Sequence, residues 1–209
     1  MLRANFQISY PAACNALETL VVHESQLATS WPIVAEGLLK AGVTLRCDPA
    51  SLSALSSLSE QPSYKPQLVL SHPADYDTEF LSLDLAILAV PNLAAGIVHI
   101  NAHSSKHTNL ILTENENTAK QFCRAIDAAG VYVNASTRFA DGFRYGFGTE
   151  VGISTGKTHA RGPVGLEGLM IYKYVVKSDA EQGHIEAEFG GAGGKKYLHE
   201  ALPLAGGIL

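Results

Sequence analysis

Leu81-Ser-Leu-Asp-Leu-Ala-Ile-Leu-Ala-Val90 runs directly into Pro91-Asn-Leu-Ala-Ala-Gly-Ile-Val-His-Ile100. The first run has the length and apolarity of a strand covered on both faces. Pro91 lacks the N–H that a ladder requires and ends it, and Leu93 to Ile100 continues as helix. The alternation then repeats downstream. Thr108 to Thr113 reads as strand, Asn115 to Ala128 as helix with Phe122, Cys123 and Ile126 inward, and Val131 to Asn134 as strand again. Strands and helices alternating at this spacing predict an α/β layer built on a largely parallel sheet.

The upstream chain follows the same rhythm. Leu17 to His23 is apolar and β-branched and reads as a short strand, and Leu27 to Lys40 reads as a helix with Trp31, Val34, Leu38 and Leu39 on one face. Gly42 suits that helix's cap, and Val43 to Arg46 reads as a second strand. Ser51 to Glu60, with Leu52, Leu55 and Leu58 at spacing three, predicts a short helix that gives way to a proline-broken linker from Gln61 to Pro66. Beyond Phe139 the chain turns glycine-rich and polar, as loops around a site do. Val164 to Leu169 predicts a short helix behind Pro163, and Met170 to Lys177 alternates as an extended strand. The tail from Ser178 to Leu209, with Gly190-Gly-Ala-Gly-Gly194, has little periodicity. The expected divisions are therefore an α/β domain over 1–142, a return segment and strand over 143–177, and a Gly-rich extension over 178–209.

The 209 residues carry 15 Lys and Arg against 20 Asp and Glu, a net charge of -5, with no basic block. Nucleic acid and anionic membrane both call for a concentrated positive field, so small molecules are the expected partners. No apolar run reaches the ~20 residues that span a bilayer, and the first residues lack a signal-peptide core; a cytoplasmic protein is expected. Cys14, Cys47 and Cys123 are odd in number and widely spaced, which fits reduced thiols and no C-x-x-C metal site.

Several motifs carry chemistry. Cys14 lies in Tyr10-Pro-Ala-Ala-Cys-Asn-Ala-Leu-Glu-Thr19, where a short helical turn after a proline would let backbone N–H groups and the helix dipole lower a thiol's pKa; the alternative is a small buried hydrophobe. Asn134-Ala-Ser-Thr-Arg138 sets an amide, two hydroxyls and a guanidinium directly after a strand, where open α/β sheets present ligands. It reads either as an anion grip or as a polar turn, and His159 and Arg161 add cationic donors or solvated surface. Ile153-Ser-Thr-Gly-Lys-Thr158 ends like a phosphate-binding loop, but Val151 stands where the first glycine is required. His99, His103 and His107 recur every fourth residue, although Ser104, Ser105 and the following strand argue against one continuous metal-binding helix. Cys47 and Cys123 read as structural.

Taken in order, these segments resemble the C-terminal half of the γ-glutamyl phosphate reductases (glutamate-5-semialdehyde dehydrogenases) of the aldehyde dehydrogenase superfamily. The runs that carry the resemblance are Tyr10 to His23, Thr78 to Leu81, His99-Ile-Asn101 with His107-Thr108, Val131 to Gly142, Gly148 to Thr155 and His159 to Glu167. It implies an aldehyde dehydrogenase-like catalytic domain and NADPH-dependent reduction of L-glutamate 5-phosphate to the semialdehyde, a step of proline biosynthesis. Cys14 matches the nucleophile that forms a thioester, and its backbone N–H would supply part of an oxyanion hole. Asn134, Ser136, Thr137 and Arg138, with His159 and Arg161, become candidates for the substrate anion. Glu79 and Phe80 match the contact to the nicotinamide ribose, and 170–177 matches an oligomerisation strand joining homo-oligomers. The family's enzyme is about twice as long, so most of the cofactor-binding domain is expected outside this chain, which alone would have little activity. The rival expectation is a non-catalytic half-length relative that associates with full-length subunits.

Overall fold

β4 (Asp84–Val90) lies between β1 (Thr19–His23) and β2 (Thr44–Cys47), and β3 (Leu68–Leu70) completes a sheet of order β1-β4-β2-β3 in a computed structural model. The structure describes residues 10–157, 165–177, 185–189 and 192–197. All three strand pairings are parallel, with Thr19 opposite Ala86, Thr44 opposite Asp84 and Leu45 opposite Leu68. Successive side chains of a strand point to opposite faces, yet Leu85, Ala86 and Ile87 are all fully buried, so both faces of β4 are covered. The expected parallel α/β sheet is present.

Helix α1 (Ser30–Lys40) joins β1 to β2. Trp31, Ala35, Leu38 and Leu39 pack into the core with Val22, Val43, Leu45, Leu55, Leu85 and Ile87. Each such side chain contributes about 1.5–3 kcal/mol by leaving water. The inward stripe differs by one position from expectation: Val34 is 41% exposed and Ala35 takes the buried place, because a crossing beside the large Trp31 ring admits a methyl group. Gly42 adopts φ +86 at the end of α1, donating to Leu39 O at 2.9 Å while Val43 N donates to Leu38 O at 3.1 Å. That pair of bonds closes the helix, and the left-handed φ favours glycine.

The stretch expected as one helix divides into α2 (Pro49–Ser53) and α3 (Ser56–Ser59). Asp48 caps α2 through Ser51 N and also accepts from Ala89 N of β4, each at 3.2 Å, while Trp31 Nε1 donates to Ser51 O at 2.9 Å. A single carboxylate and a single indole thus fasten α2 between α1 and the sheet. The proline-broken linker leads straight into β3, a short edge strand that the sequence reading passes over.

Helix α4 (Leu93–His103) packs on β1 and β4; a Cβ at Gly96 would meet Val21 and Val90 side chains at 3.7 Å. It runs one turn past its expected end and carries both His99 and His103. β5 (Thr108–Ile111) and β6 (Gly130–Val133) form a separate parallel pair, with α5 (Glu116–Ala125) between them in sequence. Asn101 ties α4 to the end of α5, donating to Ala125 O at 2.8 Å and accepting from Asp127 N at 2.9 Å. On α5 Phe122 is buried, and Ile126 beyond its end is buried too, but Cys123 is exposed; one residue along a helix turns about 100°, enough to carry it out of the core.

The chain separates into two compact units, 1–170 and 171–209. Residues 170–177 form no ladder, and Ile171, Tyr172, Tyr174 and Val176 are exposed. In the second unit a bridge joins Phe189 to Lys195, and Phe189 stacks on Tyr197 at 5.1 Å. Among the described residues no helix is long and apolar enough to cross a membrane, and no His, Cys, Asp and Glu group could hold a metal ion.

Candidate active site

The chain from Tyr10 to Ala16 folds as consecutive turns, with Ala13 N donating to Tyr10 O at 3.2 Å and Ala16 N to Ala13 O at 2.8 Å. These turns leave Cys14 exposed just ahead of β1. Asn15, the next residue, is held from three sides. Its Nδ2 donates to Ala140 O at 2.9 Å, its Oδ1 accepts from the Arg138 guanidinium, and its carbonyl accepts from Thr137 Oγ1 at 2.7 Å. The thiol segment and the Asn134 to Arg138 segment therefore meet, although more than a hundred residues separate them.

Within that second segment each polar group has a distinct place. Asn134 follows β6 in the left-handed region at φ +54, where asparagine is among the residues that tolerate it. Its amide donates to Thr113 O at 2.8 Å and accepts from Thr113 N at 2.9 Å, which extends the β5–β6 pairing past its last rung. Ser136 Oγ accepts from Arg138 N at 3.1 Å and caps the short 3-10 turn Thr137–Phe139. Thr137 is buried on Asn15, and Arg144 donates to Arg138 O. Arg138 is thus the cation brought to Cys14. His159 and Arg161 lie outside the described residues.

Carboxylates crowd the thiol. Glu150 is fixed by Gly142 N, which donates to its Oε1 at 2.8 Å. Glu79 is exposed in the turn before β4, where the following Leu81 takes φ +57, and Phe80 beside it lies under the Arg46 guanidinium at 5.3 Å. Arg46 is itself held by Asp84 at 2.9 Å. Glu79 makes no hydrogen bond among the described residues.

The thiol's electrostatics overturn the expected activation. Removal of water by the surrounding chain pushes the Cys14 pKa up, and the negative charges of Glu150 and Glu79 push the same way; its own backbone N–H and Arg138 oppose them. The turn is not helical, so no helix dipole acts on the sulfur. Cys14 rests as a thiol. Glu18, next to Glu79, is pushed up to about 7 by burial and by that neighbouring charge. His107, between α4 and β5, is held below its ordinary range by burial, with Glu150 and Glu79 pulling it back up. Cys47, by contrast, is fully buried in β2 and pushed up to about 12 by loss of solvent, as a structural thiol should be.

Asn15, Glu18, His107 and Glu150 join the site without having been named for it from the sequence. Asn15 had a signal in its adjacency to Cys14; Glu150 stood in the Gly148 to Thr155 run. Glu18 stood in the Tyr10 to His23 run and His107 in the His107-Thr108 pair, and what joins them to the site is the charge of Glu79 that acts on both.

No protein-family model matches the chain. It is 53% identical to the probable gamma-glutamyl phosphate reductase of Schizosaccharomyces pombe over 194 residues, 92% of this chain and 42% of that one. It is 45% identical to the gamma-glutamyl phosphate reductase of Saccharomyces cerevisiae, over 94% of this chain and 44% of the relative. A crystal structure of gamma-glutamyl phosphate reductase from Thermotoga maritima superposes with a TM-score of 0.74 at 43% identity, covering 87% of this chain and 41% of that chain. The chain spans about two fifths of the length of the curated relatives it matches.

Proposed function

We propose, from the kinship in sequence and fold of this chain with the γ-glutamyl phosphate reductases, that it carries the nucleophile and anion-binding half of a reductase active site. The substrate is L-glutamate 5-phosphate, an acyl phosphate. Cys14 Sγ attacks its acyl carbon, phosphate leaves, and a thioester on Cys14 results. NADPH supplies the hydride that releases glutamate 5-semialdehyde. Glu79 accepts from a ribose hydroxyl of that cofactor, and Phe80, backed by Arg46, shapes the turn that presents it.

The observation that carries the reading is the clasp of Asn15 on Thr137, Arg138 and Ala140. A thiol acting on an acyl phosphate needs a cation close by for the substrate's anionic groups, and the clasp sets Arg138 one residue from the nucleophile in space as Asn15 is in sequence. Thr137 and Ser136 hold Arg138's segment, and Asn134 anchors it to β5. Cys14 N–H, which interacts with its own sulfur, contributes to the oxyanion hole on this reading. The remaining cofactor contacts come from the part of the relatives' length that this chain does not match. Residues 170–177, with an exposed apolar row, serve as the edge that pairs with another subunit.

The test is complementation. The chain is joined to the unmatched portion of a relative such as the Saccharomyces cerevisiae enzyme, and phosphate-dependent reduction of NADP⁺ by glutamate 5-semialdehyde is followed at the nicotinamide absorbance. Turnover that vanishes in Cys14→Ser supports the assignment. Absence of turnover in a folded fusion with Cys14 intact, or full activity in Cys14→Ser, refutes it.

A further inference from the structure

We propose that Arg144 is a positioning residue for Arg138: from the turn over 141–147 it fixes the main chain that carries the Arg138 guanidinium to the Cys14 segment. The inference deepens the reading above and rests on Arg138 being the cation that meets the substrate's anion.

A guanidinium stands at the end of a long, freely turning stem, so its place depends on where its main chain is held. Both main-chain polar groups of Arg138 are held. Its N–H donates to Ser136 Oγ at 3.1 Å, and its carbonyl accepts from the Arg144 guanidinium. Its side chain then reaches Asn15 Oδ1, next to Cys14 in the chain. Flanking it, Thr137 Oγ1 donates to Asn15 O at 2.7 Å, and Ala140 O accepts from Asn15 Nδ2 at 2.9 Å. A displaced carbonyl at 138 would loosen the guanidinium from Asn15. A cation held before its anion arrives spares the ordering cost that a free arginine side chain would add to binding.

Arg144 reaches back six residues because its own turn is closed by hydrogen bonds. Asp141 Oδ1 accepts from Phe143 N at 2.9 Å and from Arg144 N at 3.2 Å. Tyr145 N donates to Asp141 O at 3.0 Å, and Phe147 N to Gly142 O at 2.8 Å. Aspartate suits the head of such a turn, since its short side chain accepts from N–H groups a little further along the chain. Tyr145 ties the turn to β6, its hydroxyl bonded to that of Tyr132. Adjacent side chains thus go to different anchors, Arg144 to the carbonyl at 138 and Tyr145 to β6.

The same turn holds two opposing charges of the site. Gly142 N donates to Glu150 Oε1 at 2.8 Å, while Arg144 holds the main chain of Arg138. Burial, Glu150 and Glu79 disfavour a thiolate on Cys14; its own backbone N–H and Arg138 favour one. Arg144 therefore acts on the sulfur through Arg138, and its effect should vanish once Arg138 is gone.

The experiment is a double-mutant cycle on the intact chain. It follows Cys14 alkylation by iodoacetamide from about pH 7 to about pH 10.5, read by mass spectrometry of the peptide bearing residue 14. The reagent is uncharged, so its rate follows the thiolate population. Arg138→Met should move the midpoint up by roughly half a pH unit, or about threefold in rate at about pH 8, because an opposite charge is lost. Arg144→Met should reproduce most of that shift, and the variant carrying both should behave as Arg138→Met alone. A profile superimposable on the parent's in either single variant overturns the proposal. So does an Arg144→Met shift of equal size with and without Arg138, which would make Arg144 an independent surface charge. If Arg144→Met does not melt as the parent does, Arg144→Gln takes its place in the cycle under the same criteria. Alkylation needs neither NADPH nor the glutamyl group. The expected cycle beside a folded but inactive fusion would refute the substrate assignment and leave the role of Arg144 standing; an active fusion beside an additive cycle would do the reverse.

Discussion

Asn15→Ala cuts the clasp between the thiol turn and the Arg138 segment while leaving the main chain of both in place. The side chain makes two of the three bonds there: Nδ2 to Ala140 O at 2.9 Å, and Oδ1 with the Arg138 guanidinium. The third, from Thr137 Oγ1, ends on the Asn15 carbonyl and survives. A neutral bond of the first kind contributes about 1 kcal/mol, and the charge-assisted one adds about 1.5 kcal/mol at the low end because Arg138 is only half-buried. Water recovers part of both, so the expected loss is about 2 kcal/mol, which for a chain of this size lowers Tm by roughly 4–8 °C. Asn15→Asp keeps the acceptor for Arg138 and loses only the donor to Ala140, so its loss should be about half as large. Differential scanning calorimetry of the three proteins at one pH measures both. A Tm for Asn15→Ala within about 1 °C of the parent, or a larger loss in Asn15→Asp than in Asn15→Ala, refutes the clasp as an energetic link.

Three further outcomes follow from buried or shifted groups. Glu18 is raised in the fold to about 7, so the folded state holds its proton more tightly than the unfolded chain; that stabilisation is complete below the unfolded carboxyl range and is lost as pH rises toward 7. Glu18→Gln should therefore raise Tm near pH 8 by roughly 2–4 °C and leave it unchanged near pH 4, checked by thermal melts at both. Of the three thiols, only Cys14 and Cys123 should react with a disulfide reagent at mild alkaline pH in the folded protein, because Cys47 is buried and pushed up to about 12; reaction of Cys47 at the rate of the other two would contradict its burial. Leu45→Ala, at a fully buried position of β2, should cost about 2–5 kcal/mol in urea unfolding, whereas Val34→Ala on the exposed side of α1 should cost well under about 1 kcal/mol.

The sheet was legible because its strands are apolar runs closed by punctuation: Pro91 ends β4, Gly42 closes α1, and each signal acts through its own backbone. β3 was not, since Leu68 to Leu70 is a short edge strand whose existence depends on pairing with β2 and not on any periodicity of its own. The inward faces of α1 and α5 were placed to within one residue. Val34 and Cys123 fell on the wrong side because a helical stripe fixes a sector, while the partner's shape decides which residue at its border is covered.

Chemistry at the site was legible as residue types and illegible as electrostatics. Cys14 and Arg138 could be singled out from what a thiol and a guanidinium do. That Glu79 and Glu150 act on the same sulfur depends on the turn before β4 and the loop after Gly142 converging, and neither of these encodes the other. The consequence reverses the usual expectation for a nucleophilic cysteine. In a site whose carboxylates disfavour a thiolate, a standing anion would be protonated or repelled, and would compete with the substrate's own negative groups for Arg138. A resting thiol avoids that competition. On the proposed reading it leaves Arg138 for the incoming anion, and it becomes nucleophilic as its proton is lost in the step of attack.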